Sequence, residues 1–309
     1  MHPPSDLAWA VEKALHAVAS AVEPAPGSGW RATLSDGLVI RARLEGDDWL
    51  DISSLDGSPA PAAAKDVWTL LGLNAGLRGG VRAALTACGA TRFRADLFVG
   101  AEGDEAQGHA AALEARVDGL CRDLMAARRA LAGSPSAAPA GEAPAPVMGD
   151  EDSEYLARLC VEAGWGEARN GSGVRRVALD ARGEPLQALM TLAPASFLRV
   201  VVPLTAAPLT SCASREAVGR LLLRASSAAR AVKGVVLHAE GMERPALAAA
   251  CDEPVESPAA LDRALSALAV ACDRVAREAR ALEDESVARA YLAVMAPGAR
   301  DVELAAPRT

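Results

Sequence analysis

Ser257-Pro-Ala-Ala-Leu261-Asp-Arg-Ala-Leu265-Ser-Ala-Leu268-Ala-Val-Ala-Cys272-Asp-Arg-Val275-Ala-Arg-Glu-Ala279-Arg-Ala-Leu282 decides how the chain is read. Leu261, Leu265, Leu268, Cys272, Val275, Ala279 and Leu282 step by four and three, the spacing of one face of an amphipathic helix. Ser257-Pro258 supplies an N-cap followed by a proline at the first helical position. The same phase occurs earlier in Leu113, Val117, Leu120, Leu124, Ala127 and Leu131. That segment ends Cys121-Arg-Asp-Leu-Met-Ala-Ala-Arg-Arg-Ala-Leu131, against Cys272-Asp-Arg-Val-Ala-Arg-Glu-Ala-Arg-Ala-Leu282 in the later one. A recurring Cys, Arg-Ala-Leu and helical phase point to one unit built twice.

Working back from this helix, the second half reads as follows. Strands at Val235 to Ala239 and Ala246 to Cys251 flank the turn Glu240-Gly-Met-Glu-Arg, and Ser214 caps a helix running to Val232. Strands Val174 to Leu179, Leu186 to Leu192 and Phe197 to Leu204 come before it. A helix with the acids Asp150, Glu151, Asp152 and Glu154 at its N-terminus opens the half, where negative charge meets exposed amides.

The first half gives the same order. A helix capped by Ser5 runs through Leu7, Val11, Leu15, Val18 and Val22 to Pro24. Strands Trp30 to Leu34, Leu38 to Leu44 and Trp49 to Leu55 follow, with turn signals at Asp36-Gly37 and Glu45-Gly-Asp-Asp48. A second helix is expected from Asp66 to Leu85, then a strand over Phe93 to Val99, with a further strand either missing or hidden in Leu85 to Thr91. Leu7 with Tyr155, Trp49 with Phe197 and Cys121 with Cys272 lie about 148 to 151 residues apart, and an offset this constant over several elements marks a repeat. Between the halves, Gly133 to Asp150 carries four prolines and no apolar period. As an extended linker at about 3.1 Å per residue it would span on the order of 50 Å. The expected domains are 5–132 and 153–284, joined by a linker at 133–152 and followed by a tail at 285–309 with a short helix over Glu285 to Met295.

Composition limits what such a chain can do. The 309 residues are 51% hydrophobic and 23% charged, enough to bury a core in each of two domains. The net charge of −8 argues against a nucleic-acid partner, because phosphate binding draws on a basic surface. The start of the chain lacks the basic n-region of a signal peptide and no run approaches 18 apolar residues, so a cytoplasmic protein with no membrane partner is expected. Cys88, Cys121, Cys160, Cys212, Cys251 and Cys272 form no Cys-x-x-Cys pair and read as thiols, Cys121 and Cys272 lying on apolar stripes. No metal and no cofactor is expected. Gly-x-Ser-x-Gly and the phosphate-binding Gly-Lys-Ser/Thr loop are absent, Asp47-Asp48 reads as a turn, and His238 with Glu240 reads as an ordinary strand end. The expectation is a protein without enzymatic activity.

Helix, three antiparallel strands, helix, one or two strands, helix resembles, twice over, the type III secretion chaperone-like superfamily, including its YbjN-type members. The resemblance rests on element order, acidic charge and size. It implies an α+β fold of two tandem α-β-β-β-α-β(β)-α domains, and a bacterial, non-enzymatic protein that holds an extended segment of a client. It also implies that two copies in one chain replace a homodimer as an intrachain pseudo-dimer, higher oligomers being left open. The alternative is a self-associating structural or conflict-system accessory subunit without a client peptide.

Two sets of residues are singled out. Trp49 and Phe197 head the matching third strands, where a large aromatic can anchor a partner or simply fill the core. Met190 and Val201 join them as partner-binding candidates, because Leu186 to Leu192 and Phe197 to Leu204 are apolar on both faces and something must cover the second one. Gly72, Gly76 and Gly80 recur every four residues, each costing about 1 kcal/mol inside a helix. They mark either a broken helix or a bare stripe for close packing against Ala225 and Ala229 of the second half, at the interface between the domains.

Overall fold

The computed structural model describes residues 6–27, 29–46, 48–55, 64–77, 80–100, 106–132, 150–166, 169–171, 174–181, 184–193, 197–205, 207–239, 242–249 and 257–295. Of the linker expected at 133–152, residues 133–149 lie outside them, as does the cap at Ser5, while 150–152 belong to the helix Asp150–Glu162. The fold is α+β, with seven helices and two antiparallel sheets among the described residues.

The first half contains α1 (Asp6–Val18), β1 (Ala19–Ala25), β2 (Gly29–Leu34), β3 (Val39–Glu45), β4 (Trp49–Ser54), α2 (Ala64–Gly76), β5 (Arg82–Leu85), β6 (Thr91–Phe98) and α3 (Ala106–Ala132). The second contains α4 (Asp150–Glu162), β7 (Arg169–Gly171), β8 (Val174–Ala181), β9 (Glu184–Ala193), β10 (Phe197–Pro203), α5 (Cys212–Ala228), β11 (Val232–Ala239), β12 (Met242–Ala249), α6 (Pro258–Ala281) and α7 (Glu285–Met295). The sheets run β1-β2-β3-β4-β6-β5 and β7-β8-β9-β10-β12-β11, the same connectivity in both.

Each half therefore has four strands before its second helix where three were expected. The extra strand in the first half, β1, occupies residues assigned from sequence to the helix of Val18 and Val22. Pro24 disfavours helix in the residue before it, and pairing with β2 satisfies the backbone instead. The second helix is also shorter than its expected range of Asp66 to Leu85. It ends at Gly76, and Val81 and Leu85 are buried in and beside a strand. Ser214 does not cap α5: Ser211 holds that position, and Ser214 is buried and donates to the carbonyl of Glu283.

By compactness the chain divides into two units. The first comprises Met1–Ser58, Leu77–Arg82 and Arg92–Ala137, the second Pro59–Gly76, Ala83–Thr91 and Ala138–Thr309. In the first, alternation sorts the strands: Trp30, Ala32, Leu34, Ile40, Ala42, Leu50, Ile52, Phe93, Ala95 and Leu97 are buried. α1 packs on β1, β2 and α3, its Val11, Ala14 and Leu15 buried together with Leu113, Val117, Leu120 and Leu124 of α3.

In the second unit α6 lies on β8, β10, β11 and β12 with its whole expected stripe buried, and the Ser257 hydroxyl accepts from the Ala260 amide at its start. Burying each such Leu is worth about 1.5–3 kcal/mol. Trp165 Nε1 donates to Asp262 Oδ1 at 2.9 Å, tying the end of α4 to α6. On the opposite face of this sheet, Ala75 of α2 packs against Val201, Val235, Ala246 and Ala248. That contact covers Val201 of β10, whereas β9 differs from expectation: Leu186, Ala188, Met190 and Leu192 are buried on one face and Gln187 is exposed on the other. A helix from the first half of the sequence thus belongs to the second unit, where it packs against α5 and β11.

Candidate protein-binding surfaces

Strand alternation turns a second set of side chains in the first sheet away from the core. Arg31 of β2 stands directly opposite Arg41 of β3, Arg41 opposite Ser53, and Ser53 opposite Arg94. In the next row Arg43 faces Asp51, which faces Asp96. Arg31, Arg41 and Arg43 are exposed.

Two carboxylates of this face, Asp51 and Asp96, are taken by other arginines. Arg94 Nη2 lies 2.7 Å from Asp51 Oδ1. Burial nevertheless holds the Asp51 carboxyl above its usual range, against the opposing charge of Arg94. Arg82, with no exposed surface, bonds Asp96 Oδ2 at 2.6 Å and the Gly80 carbonyl at 3.0 Å. A Cβ on Gly80 would come within 2.5 Å of the Asp96 carbonyl oxygen. Gly80 thus admits the close approach of β6 within the first unit.

Trp49 lies half-buried on this outer face, and its ring meets that of Phe98 edge-on with centroids 5.3 Å apart. Among the described residues the sheet begins at β1, whose only neighbour in the strand order is β2. A bulge between Ala19 and Ala21 kinks its start. Pro24 has no N–H and is tolerated where that side faces outward, so Val22, two residues before it, turns its N–H and C=O outward as well. This edge is open over a short stretch.

The opposite condition holds at the β11 edge. The outward N–H of Gly234 donates to Ser226 Oγ of α5 at 2.7 Å, and its carbonyl accepts from Asn74 Nδ2 of α2 at 3.0 Å. Asn74 is fully buried and also bonds Ala83, accepting from its N–H at 2.6 Å and donating to its carbonyl at 3.0 Å. A Cβ on Gly234 would meet Leu222 Cβ at 2.7 Å, so this strand lies too close to α5 for a side chain.

Other residues hold α2 to α5. Trp68 Nε1 donates to the Arg215 carbonyl at 2.9 Å, and the Arg215 guanidinium lies 4.3 Å from the centre of the Trp68 ring. Arg215 also bonds Glu243 Oε2 at 2.6 Å, and His238 Nδ1 lies 4.0 Å from the other Glu243 oxygen. The close approach of the two helices is at Gly219, where a Cβ would fall 2.4 Å from Val67 Cγ1. Gly72 and Gly76 do not supply it, since a Cβ on either meets nothing within 4 Å. Ala225 is buried in α5, and Ala229 is its C-cap residue.

The remaining candidates differ in what they offer. Met190 has no exposed surface, and Val201 is 7% exposed beneath Ala75. The backbone of Phe197 pairs with Ala193, while its side chain lies outside the described residues. Burial raises the thiol pKa of Cys121 and Cys272 to about 12 and that of Cys160 to about 11, whereas Cys88 and Cys212 are exposed. Among the described residues no group of three His, Cys, Asp or Glu side chains could hold a metal ion, and no helix is long and apolar enough to cross a membrane.

In the sequence Arg41 and Arg43 are marked only by alternating with Ile40, Ala42 and Leu44 within the strand expected over Leu38 to Leu44. Asn74, Trp68 and Gly219 carried no local signal, because their roles depend on a helix and a strand distant in sequence. Compared with protein-family models, curated proteins and solved structures, the chain matches none of them.

Proposed function

We propose that this chain is a non-enzymatic protein-binding module of the type III secretion chaperone-like kind, and that its two repeats form an intrachain pseudo-dimer that holds a segment of a client protein. The observation that carries the binding role is the edge at β1, which among the described residues is hydrogen-bonded to a strand on one side only and is continuous with a solvent-facing sheet surface. An extended segment binds such an edge through main-chain hydrogen bonds. The pseudo-dimer draws support from the helix pair. Val67 and Gly219 stand 152 residues apart, close to the 148 to 151 offset of the repeat, so nearly equivalent positions of the two repeats meet at the crossing, and Asn74 and Ser226 at the end of the pair both bond Gly234. Equivalent residues meet each other in this way near a twofold axis.

The test uses the full chain and a Val22→Pro variant, which removes the outward N–H of β1. Each is used to capture clients from the native cells, and the captured protein is then added back in pure form. The reading requires weaker capture by Val22→Pro and slower amide exchange over residues 19–25 when the client is bound. A client bound equally by both forms, with β1 exchange unchanged, refutes it. The self-associating alternative draws on Val270, Val287 and Val294, which are exposed on α6 and α7. Sedimentation velocity over a wide concentration range decides it.

A further inference from the structure

We infer that the outer face of the first sheet is a binding surface for an acidic, extended protein segment, held by Arg31, Arg41 and Arg43. The inference rests on the protein-binding reading above and names the chemistry of the segment. Like charges placed directly across a strand pair destabilise a sheet, yet Arg31 stands opposite Arg41, and Arg43 follows two residues later on the same face. All three are exposed in a chain whose net charge is −8. None forms an ion pair among the described residues: Arg41 has a long bond to the Pro26 carbonyl at 3.4 Å, while Asp51 and Asp96 are bound by Arg94 and Arg82. Acids share this face: Glu23 stands opposite Arg31, Asp51 stands opposite Arg43, and Glu45 follows Arg43 two residues on.

The spacing selects the occupant. Arg41 and Arg43 are two residues apart on β3, about 6.6 Å at the usual strand rise, and Arg31 lies roughly 4.8 Å across from Arg41. Acidic side chains at alternate positions of an extended segment have that same repeat. A carboxylate on each arginine would supply charge-assisted hydrogen bonds that these three side chains do not make among the described residues, and would relieve the Arg31–Arg41 repulsion. A single-stranded nucleic acid fits less well. Base stacking needs open ring faces, and the aromatic pair on this surface, Trp49 and Phe98, is engaged edge to face.

The test is fluorescence anisotropy with the full chain and four fluorescein-labelled probes: decapeptides alternating Glu-Thr, Lys-Thr or Ser-Thr, and a ten-nucleotide oligo-dT. The Glu-Thr peptide should bind about tenfold or more tightly than Ser-Thr in about 50 mM salt, and weaken in about 500 mM salt. The variant Arg31→Glu/Arg41→Glu/Arg43→Glu, its fold checked by circular dichroism, should lose that preference and gain affinity for Lys-Thr. The single variant Arg41→Gln should show an intermediate loss if the triple one fails to fold. Equal binding of Glu-Thr and Ser-Thr that only Val22→Pro weakens overturns the arginine surface and leaves segment binding standing. Tighter binding of oligo-dT through the same arginines, or no binding of any probe, overturns the proposal.

Discussion

The packing of α2 on α5 can be tested by exchanging volume across Gly219 and Val67. Gly219→Ala alone has two opposing effects. Alanine in place of glycine inside a helix gains about 1 kcal/mol. The new Cβ, however, would sit 2.4 Å from Val67 Cγ1, and overpacking of this kind costs about 1–3 kcal/mol. Val67→Ala alone removes two buried carbons at about 0.8 kcal/mol each, near 1.6 kcal/mol in all. In the double variant the clashing Cγ1 is gone. The nearest remaining atoms, Leu71 Cδ1 at 3.5 Å and Val67 Cβ at 3.6 Å, are in ordinary contact, so the helix gain is realised without the clash. The two substitutions should therefore couple favourably by about 1–3 kcal/mol in urea denaturation followed by circular dichroism and tryptophan fluorescence, with unchanged slopes. Gly72→Ala is the control. It faces open space and should stabilise by about 1 kcal/mol whichever residue occupies 67. Additive effects of the pair, within about 0.5 kcal/mol, would show that the helices do not meet at Gly219.

Asn74→Ala leaves the N–H and C=O of Ala83 and the C=O of Gly234 without the Asn74 amide, and should destabilise by about 2–5 kcal/mol with faster amide exchange at Ala83. Arg82→Met strands the buried Asp96 carboxylate and should cost about 3–5 kcal/mol by denaturant melting, much of it recovered by adding Asp96→Leu. Iodoacetamide at neutral pH, read by peptide mapping, should label Cys88 and Cys212 in the folded protein and leave Cys121, Cys160 and Cys272 unmodified until denaturant is added. The same raised thiols make a pH prediction. Their contribution to stability is complete below the unfolded value of 9.0 and is lost as pH rises toward 11 to 12, a loss that Cys272→Ala should reduce in alkaline melts. Asp284 works in the opposite sense: hydrogen bonds from the Ser286 hydroxyl and from the Val287 and Ser286 amides lower its pKa, so its hold on α7 should weaken as pH falls below 3.8, and Asp284→Asn should remove that dependence in acid amide exchange of α7.

Wherever one local rule sufficed, the fold could be read from the residues. The stripe from Leu261 to Leu282 became α6, Ser257 became its cap, and Asp36-Gly37 became a turn in which Asp36 Oδ1 accepts from the Leu38 amide. β1 was missed because Ser20, Ala21, Glu23 and Pro24 are exposed, and an edge strand wet on both faces shows no alternation. The end of α2 was hidden because Val81 and Leu85 keep an apolar spacing compatible with helix while lying in and beside a strand. The glycine stripe misled for a related reason. A glycine's cost is local, but its benefit depends on what lies opposite, and the contact that needs a missing side chain is at Gly219, inside an otherwise ordinary Ala-Val-Gly-Arg run. Met190 and Trp49 are both apolar strand residues, and only the arrangement of helices over the sheets separates the fully covered one from the half-covered one.

A side-chain amide has the donor and acceptor of a peptide unit but no chain continuing on either side. With Asn74 on Gly234 and Ala83, and Ser226 on the remaining Gly234 N–H, the groups through which a further strand would add to β11 at that point are already used. Stacking of molecules into fibres by edge-to-edge pairing is therefore barred there, and at β1 the bulge and Pro24 shorten the available run to a length that favours one transient guest over an endless ladder. Replacing Asn74 would thus do more than loosen a helix: it would expose a strand edge to other copies of the protein.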